Sequence, residues 1–266
     1  MMGAGCVVDY RKRIFVTGGG SGIGRATAAL FAARGWQVGL ADIDAAAMAR
    51  VAAELPAGQA STHVLDVRDR DGWDVALADF AGEGGIDVVF NNAGIAVGGV
   101  FADADPAELA RCVAINFQGV VWGAHAGYRY LKRAPGGGLL NTASAAGIYG
   151  TPGAAIYSAT KFAVRGLTEA LEGEWRAEGI KVRSLMPSFI DTPLLDAGVP
   201  GTNQNVRERV RDAGLEFTPV EQVAEAAWRA VHGDAVHTVV GKTAERLKFA
   251  ARWMPGALRK QMGRSL

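Results

Sequence analysis

Five glycines fall within the seven residues 18–24, between a short apolar run at 14–17 and a segment at 25–35 whose small and apolar residues recur at helical spacing. A buried strand that feeds a helix through a turn almost free of side chains restricts the chain to folds that open with a strand–helix unit. The turn also has a chemical consequence. Its backbone N–H groups lie open, and the following helix points its partially positive end at the same place, so the turn suits a phosphate-type anion. A glycine-rich match alone is weak. Here a strand precedes it, a helix follows, and Asp42 stands about 20 positions on.

The rest of the chain repeats the alternation. Strands are expected at 37–42, 63–66, 86–91, 139–144, 181–186 and 236–241. Helices are expected at 45–55, 71–81, 105–133, 157–179 and 219–232, the third opened by Asp105 and Pro106 as cap and first helical residue. The strands read as continuous apolar runs, which calls for parallel strands covered on both faces. No Pro/Ser-rich linker or internal repeat divides the chain. The expectation is a single α/β domain of doubly wound, Rossmann type over residues 1–241, with a mostly parallel sheet of about seven strands and helices on both faces.

Composition narrows the function. An apolar fraction of 49% with a net charge of +1 excludes a disordered chain, and 36 glycines without a three-residue period exclude a collagen-like one. Near-neutrality gives no reason to expect a nucleic-acid surface. Two cysteines, Cys6 and Cys112, make no disulfide framework, and no apolar run reaches spanning length, so a cytoplasmic location is expected. No metal site is expected.

Asp42 closes the second strand, where the ribose of a bound dinucleotide would lie. Its carboxylate would accept hydrogen bonds from both hydroxyls of NAD and repel the 2′-phosphate of NADP. Ser21 and Ile43 are uncharged, although Arg25 is near, so NAD is expected and NADP is less favoured.

The spacing Gly-x-x-x-Gly-x-Gly after Thr17 is wider than the common dinucleotide fingerprint, and it resembles the classical short-chain dehydrogenase/reductase family. Four further landmarks resemble that family in order: Asn91-Asn92-Ala93-Gly94, Asn116 within Ile115-Asn116-Phe117-Gln118-Gly119, Ser144, and Tyr157-Ser158-Ala159-Thr160-Lys161. The resemblance runs from about residue 12 to 193. It implies an NAD-dependent oxidoreductase acting on CH–OH groups, with Asn116, Ser144, Tyr157 and Lys161 as the catalytic set. It also implies cofactor contacts from Gly18, Ser21, Gly22, Ile23 and Gly24, from Asp66 and Val67, from Asn92, Ala93 and Gly94, and from Pro187, Ile190 and Thr192. Where Ser188 stands, the family usually has glycine. Assembly as a homodimer or homotetramer is expected on the same ground.

The residue types suit the chemistry. Moving a hydride to or from an alcohol carbon needs a group that moves the hydroxyl proton. A free tyrosine, with pKa about 10, is a poor base at neutral pH. Lys161, one helical turn beyond Tyr157, would favour the phenolate, and Ser144 can donate to the substrate oxygen as charge develops. By resemblance, Asn116 holds a water that links Lys161 to solvent. A second such pattern, Tyr128-Arg129-Tyr130-Leu131-Lys132, lies late in a helix with no strand-end serine before it and reads as helix surface or subunit interface. The rival readings are a non-catalytic dinucleotide sensor on the same fold and an NADPH-preferring carbonyl reductase.

Val97, Ala145, Tyr149, Phe189, Leu194 and Leu195 are candidate walls of the substrate pocket. Their apolar character points to a hydrophobic secondary alcohol or ketone. Residues 188–217 form the least regular stretch, in which Arg207 could bind a substrate carboxylate.

The end of the chain departs from the family. Residues 242–266 hold seven basic residues against one acidic, net +6, while the other 241 residues hold 21 basic and 26 acidic, net −5. Leu247, Ala250, Met254, Leu258 and Met262 recur at helical spacing, with Trp253 adjacent and Pro255 as a break. Three readings stand open: packing on a subunit or over the pocket, which is favoured; a solvated basic end; and contact with an anionic membrane surface.

Overall fold

A computed structural model describes residues 11–196, 198 and 204–263, so Cys6 lies outside the described residues. Seven strands, β1 (Arg13–Thr17), β2 (Gln37–Asp42), β3 (Ala60–Val64), β4 (Val88–Asn91), β5 (Gly138–Thr142), β6 (Lys181–Pro187) and β7 (His237–Val240), form one sheet. Their order is β3-β2-β1-β4-β5-β6-β7 and every pairing is parallel. The helices are α1 (Gly22–Ala33), α2 (Ala45–Glu54), α3 (Arg70–Ala81), α4 (Pro106–Val113), α5 (Gly119–Leu131), α6 (Ala155–Trp175), α7 (Val206–Asp212), α8 (Val220–His232), α9 (Lys242–Trp253) and α10 (Pro255–Met262).

The strands are apolar at successive positions because both faces of the sheet are buried. In β1, Ile14 and Val16 pack with Phe31, Met48 and Ala227 from α1, α2 and α8, while Phe15 between them packs with Trp73, Leu77 and Leu131 from α3 and α5. Parallel strands all end at the same edge. Between β1 and β4 the order of winding reverses, which opens a crevice beyond the strand ends, and ligands of such sheets sit there.

Three elements differ from the sequence expectation. β3 covers residues 60–64, earlier than the expected 63–66, because it is an edge strand exposed at most positions and so lacks an apolar run. Leu65, the apolar residue that suggested the later register, is buried just after it. The long helix at 105–133 is interrupted by a π-type turn, Ala114–Gln118, that separates α4 from α5. Its start is as expected: the Asp105 carboxylate accepts from Ala107 N at 2.9 Å and Pro106 is the first helical residue. Inside the irregular stretch lies α7, opened by a capping box in which Asn205 and Glu208 each accept from the other's N–H at 2.9 Å.

Gly123 faces the crevice wall from α5. A Cβ there would stand 2.0 Å from Asn91 Oδ1 and 2.6 Å from the Trp73 ring. Alanine in an open helix would stabilise by about 1 kcal/mol over glycine. Gly123→Ala should instead destabilise by about 3 kcal/mol, read by urea unfolding, because the buried Asn91 and Trp73 must move.

Candidate active site

The crevice is laced together at the strand ends. The Thr17 hydroxyl donates to Phe90 O (3.3 Å) and accepts from the N–H groups of Asn92 (2.9 Å) and Ala93 (3.1 Å). The Asn92 amide donates to Thr17 O (2.9 Å), and its oxygen accepts from the Thr142 hydroxyl (3.2 Å). The ends of β1, β4 and β5 therefore move as one body. The glycine turn folds against them. A Cβ on Gly24 would lie 2.1 Å from Gly18 O, and Gly18 itself has φ +65°, so neither position admits a side chain without displacement. Ser21, the N-cap of α1, makes no side-chain capping bond, which leaves the first-turn N–H groups at Gly22, Ile23 and Gly24 without a side-chain acceptor.

Around this cradle stand the other expected contacts. Asp42 accepts from Gly20 N (3.0 Å) and Asp44 N (3.2 Å), which fixes its carboxylate beside the turn. Arg25 is paired with Glu54 at 2.7 Å on the surface. Asp66 and Val67 lie beyond β3. The Arg68 guanidinium, at 2.5 Å, holds the Asp66 carboxyl below the usual carboxylate range, and Val67 is buried. The Asn92 side chain is turned into the strand-end network, and its N–H is held by the Thr17 hydroxyl. Past β6, which ends at Pro187, the chain returns over the turn, where Thr192 is close enough that a Cβ on Gly22 would meet its methyl at 3.2 Å. Ile190 is buried and bridges to Thr218. The Ser188 hydroxyl points at Gly241, where a Cβ would come within 2.4 Å of it. A serine fits there because a glycine with φ +98° stands opposite.

Ser144, Tyr157, Lys161 and Asn116 come together at the β5 edge of the same crevice. Ser144 is buried, and its oxygen accepts from Ala146 N (3.1 Å), which fixes the turn Ala145–Gly147 after β5. Tyr157 is half-buried in the first turn of α6. Burial raises its pKa, and the Ser144 hydroxyl works the other way. Lys161 Nζ lies 5.5 Å over the Tyr157 ring and donates to Thr142 O at 2.8 Å. Burial brings the lysine from 10.5 down to about 8. Asn116, wholly buried in the π-type turn, holds Ile95 from both sides: its oxygen accepts from Ile95 N (2.8 Å) and its amide donates to Ile95 O (2.9 Å). Gly94 follows closely, since a Cβ there would be 3.2 Å from Asn116 Oδ1 and 3.7 Å from Lys161 Nζ.

The lysine was expected to lower the tyrosine pKa. In this structure the ammonium addresses the Thr142 carbonyl and the ring, so burial governs Tyr157 instead. Two neighbours escaped the sequence reading. Thr142 supplies both the carbonyl for Lys161 and the hydroxyl for Asn92. Cys112 is a free buried thiol 3.5 Å from the Asn116 amide, and burial pushes its pKa up. Cys112 stands four residues before Asn116 in a predicted helix, so that pairing was legible; a main-chain carbonyl was not.

Among the expected pocket walls, Val97, Ala145, Tyr149 and Phe189 are half-buried, Leu195 is buried, and Leu194 is exposed. Arg207 is not available for a substrate carboxylate, because it is engaged by Asp191, by Asp196 (2.8 Å) and by Thr192 O (3.0 Å). The second tyrosine–lysine pattern is helix surface: Tyr128 and Lys132 both bind Glu178, at 2.5 and 2.7 Å.

Residues 12–201 match the model of the short chain dehydrogenase family. The chain belongs to that family. Members of that family are oxidoreductases that bind a nicotinamide dinucleotide. It is 33% identical over 258 residues to the probable oxidoreductase EphD of Mycobacterium tuberculosis, covering 92% of this chain and 44% of that protein, so it spans less than half of that relative's length. It is 33% identical to meso-2,3-butanediol dehydrogenase of Serratia marcescens (82% of this chain, 87% of that one), and 36% identical to 2,5-dichloro-2,5-cyclohexadiene-1,4-diol dehydrogenase of Sphingobium indicum (86% and 93%). A solved short chain dehydrogenase/reductase from Burkholderia phymatum, in complex with NAD, superposes with a TM-score of 0.83 at 26% identity over 94% of this chain and 95% of that one.

The buried lysine of this short-chain dehydrogenase has a measurable cost. The unfolded chain keeps the Lys161 proton up to 10.5, whereas the folded one releases it near 8. Below pH 8 the full desolvation penalty, about 3 kcal/mol, opposes folding; it fades as pH rises from 8 to 10.5. Lys161→Met should therefore be about 2 kcal/mol more stable at pH 7, allowing for the lost bond to Thr142. The gain should close towards pH 10, read by chemical unfolding at both pH values.

Proposed function

We propose that this protein transfers a hydride between NAD(H) and a hydrophobic secondary alcohol or ketone, with Tyr157 as the general acid and base. The observation that carries the reading is the convergence of Ser144, Tyr157, Lys161 and Asn116 on the crevice whose other wall is the glycine turn. The residues at hand fit the cofactor. Five of the seven residues of the turn carry no side chain, α1 presents N–H groups there without a side-chain cap, and the Asp42 carboxylate is fixed beside the turn, where the ribose would lie. When bound, the nicotinamide ring supplies the hydride acceptor or donor.

Gly18, Ser21, Gly22, Ile23 and Gly24 would hold the phosphates, and Pro187, Ile190 and Thr192 the nicotinamide end. Asp42 would bind the ribose hydroxyls. NAD is favoured over NADP because the carboxylate is fixed beside the turn and Arg25, the nearby cation, is already paired with Glu54.

Tyr157, kept neutral by burial, is ready to donate its proton to a developing alkoxide. Ser144 would donate to the same oxygen. In the oxidation direction Tyr157 must first lose that proton, so that its phenolate can accept the proton of the alcohol hydroxyl. Lys161, which titrates near 8, can pass charge in the neutral range, and a lysine freed from Thr142 O can turn towards the ribose and the phenolate. Both ends of the Asn116 side chain are held by Ile95, so a relay water would have to use its main chain. Ser144, Tyr157 and the half-buried Val97, Ala145, Tyr149 and Phe189 would bound the substrate.

A panel of hydrophobic ketones, secondary alcohols and diols, followed by NADH absorbance, tests the reaction class; the diols are included because two relatives are named as diol dehydrogenases. Tyr157→Phe should keep NADH affinity while kcat falls about 10²–10⁴-fold. Near-normal turnover would remove Tyr157 from its role. Asp42→Ala should narrow the NADH/NADPH ratio of kcat/KM by roughly 10-fold or more, the worth of a charge-assisted hydrogen bond pair. An unchanged ratio would mean that Asp42 does not choose the cofactor.

A further inference from the structure

The helices α9 and α10 carry a surface that neither the sheet nor the candidate site uses. The inner side of α9, formed by Thr243, Ala244, Leu247, Ala250 and Ala251, is buried or half-buried, and the helix packs on β7 and on the Ala145–Gly147 turn. Its first turn is held by Glu216, whose carboxylate accepts from the N–H groups of Lys242 and, at 3.3 Å, Thr243. The outer side reverses the usual pattern of a surface helix. Phe249 is 59% exposed and Trp253 66%, one turn apart and on the side that also presents Lys242 and Arg246. The Arg252 guanidinium sits 5.4 Å over the Trp253 ring. Met254, also exposed, leads into α10, where Gly256, Arg259, Lys260 and Gly263 line an open groove.

Charge sharpens the pattern. Elsewhere many surface cations find carboxylates, as Arg34 does with Glu225, Arg129 with Asp74 and Lys132 with Glu178, while others such as Arg50, Arg133 and Arg229 form no ion pair among the described residues. Among the described residues, none of Lys242, Arg246, Lys248, Arg252, Arg259 and Lys260 forms an ion pair, and Glu245 is the one acidic residue on these two helices. Exposed rings set among unpaired cations match a surface that is negative outside and apolar beneath. Cores of protein–protein interfaces are depleted in lysine. At a bilayer boundary, by contrast, lysine and arginine stems lie along apolar surface with their charges on phosphate, and tryptophan is favoured at the same depth.

We propose that the outer face of α9 and α10 docks on an anionic lipid bilayer, with Phe249, Trp253 and Met254 entering the headgroup boundary and the six cations lying on lipid phosphates. The docking does not depend on the catalytic reading. The full chain is sedimented with vesicles of phosphatidylcholine alone and of phosphatidylcholine with phosphatidylglycerol. Affinity should be at least about tenfold higher for the anionic vesicles and fall as salt is raised, since each basic residue near such a surface adds favourable energy. The double variant Phe249→Ser/Trp253→Ser should lose most of that binding with unchanged thermal unfolding, because both rings already face solvent. Arg246→Glu/Arg252→Glu should lose it as well. Equal, weak binding to both vesicle types would overturn the proposal, as would full retention by the ring variant. A ring variant that halves the mass of the lipid-free protein in light scattering, with no vesicle binding by the parent chain, would overturn it and assign the face to a second copy.

Discussion

One hydroxyl, that of Thr17, ties the site to the fold. It sits at the end of the first strand, beside the place where the winding of the sheet reverses, and it binds the main chain that leaves β4. Through Asn92 the bond network continues to Thr142 on β5, and through the Thr142 carbonyl to Lys161 on α6. The glycine turn and the Ser144–Tyr157–Lys161 cluster come from segments more than a hundred residues apart. Their mutual placement rests on this strand-end lattice, whose buried polar atoms are nearly all paired. Such pairing is what lets a polar network be rigid instead of costly.

Burial sets the protonation of the cluster more than neighbouring charge does. It holds Tyr157 as a neutral phenol and weakens Lys161's hold on its proton. The two shifts run in opposite directions, so both groups are favoured in their neutral forms and a direct proton transfer from Tyr157 to Lys161 is less favourable here than between the free side chains. The same low-dielectric surroundings make Ser144 and the Thr142 carbonyl effective partners at single contacts. The stability given up at Lys161 is the kind of local cost that functional sites carry and the remaining core offsets.

Much of the architecture could be read from the chain. The turn at 18–24, the apolar strands and the Asp105–Pro106 helix start were placed to within a few residues, because both faces of a parallel sheet demand apolar runs and helix ends demand particular caps. β3 was displaced because an edge strand has no such demand. The short α7 went unseen although its Asn205–Glu208 capping box was in the sequence, since seven residues leave too little periodicity to notice. The tail stripe at Leu247, Ala250 and Leu258 does face inward, but Phe249, Trp253 and Met254 do not, and a list of apolar spacings cannot tell which side of a helix meets the body.

The sequence by itself determined which chemistries are on offer: a turn open to phosphate, a carboxylate at the end of the second strand, a serine at a strand end and a tyrosine one helical turn from a lysine. These are local patterns, fixed by spacing along one element. Tertiary structure alone decided what each side chain is free to do. Arg207 is held by Asp191 and Asp196, Asn92 is turned into the sheet edge, Arg25 is paired with Glu54, and Lys161 rests on the Thr142 carbonyl. The partners in these contacts lie between 11 and 75 residues apart, and proximity at such separations is created by packing, which no local pattern encodes.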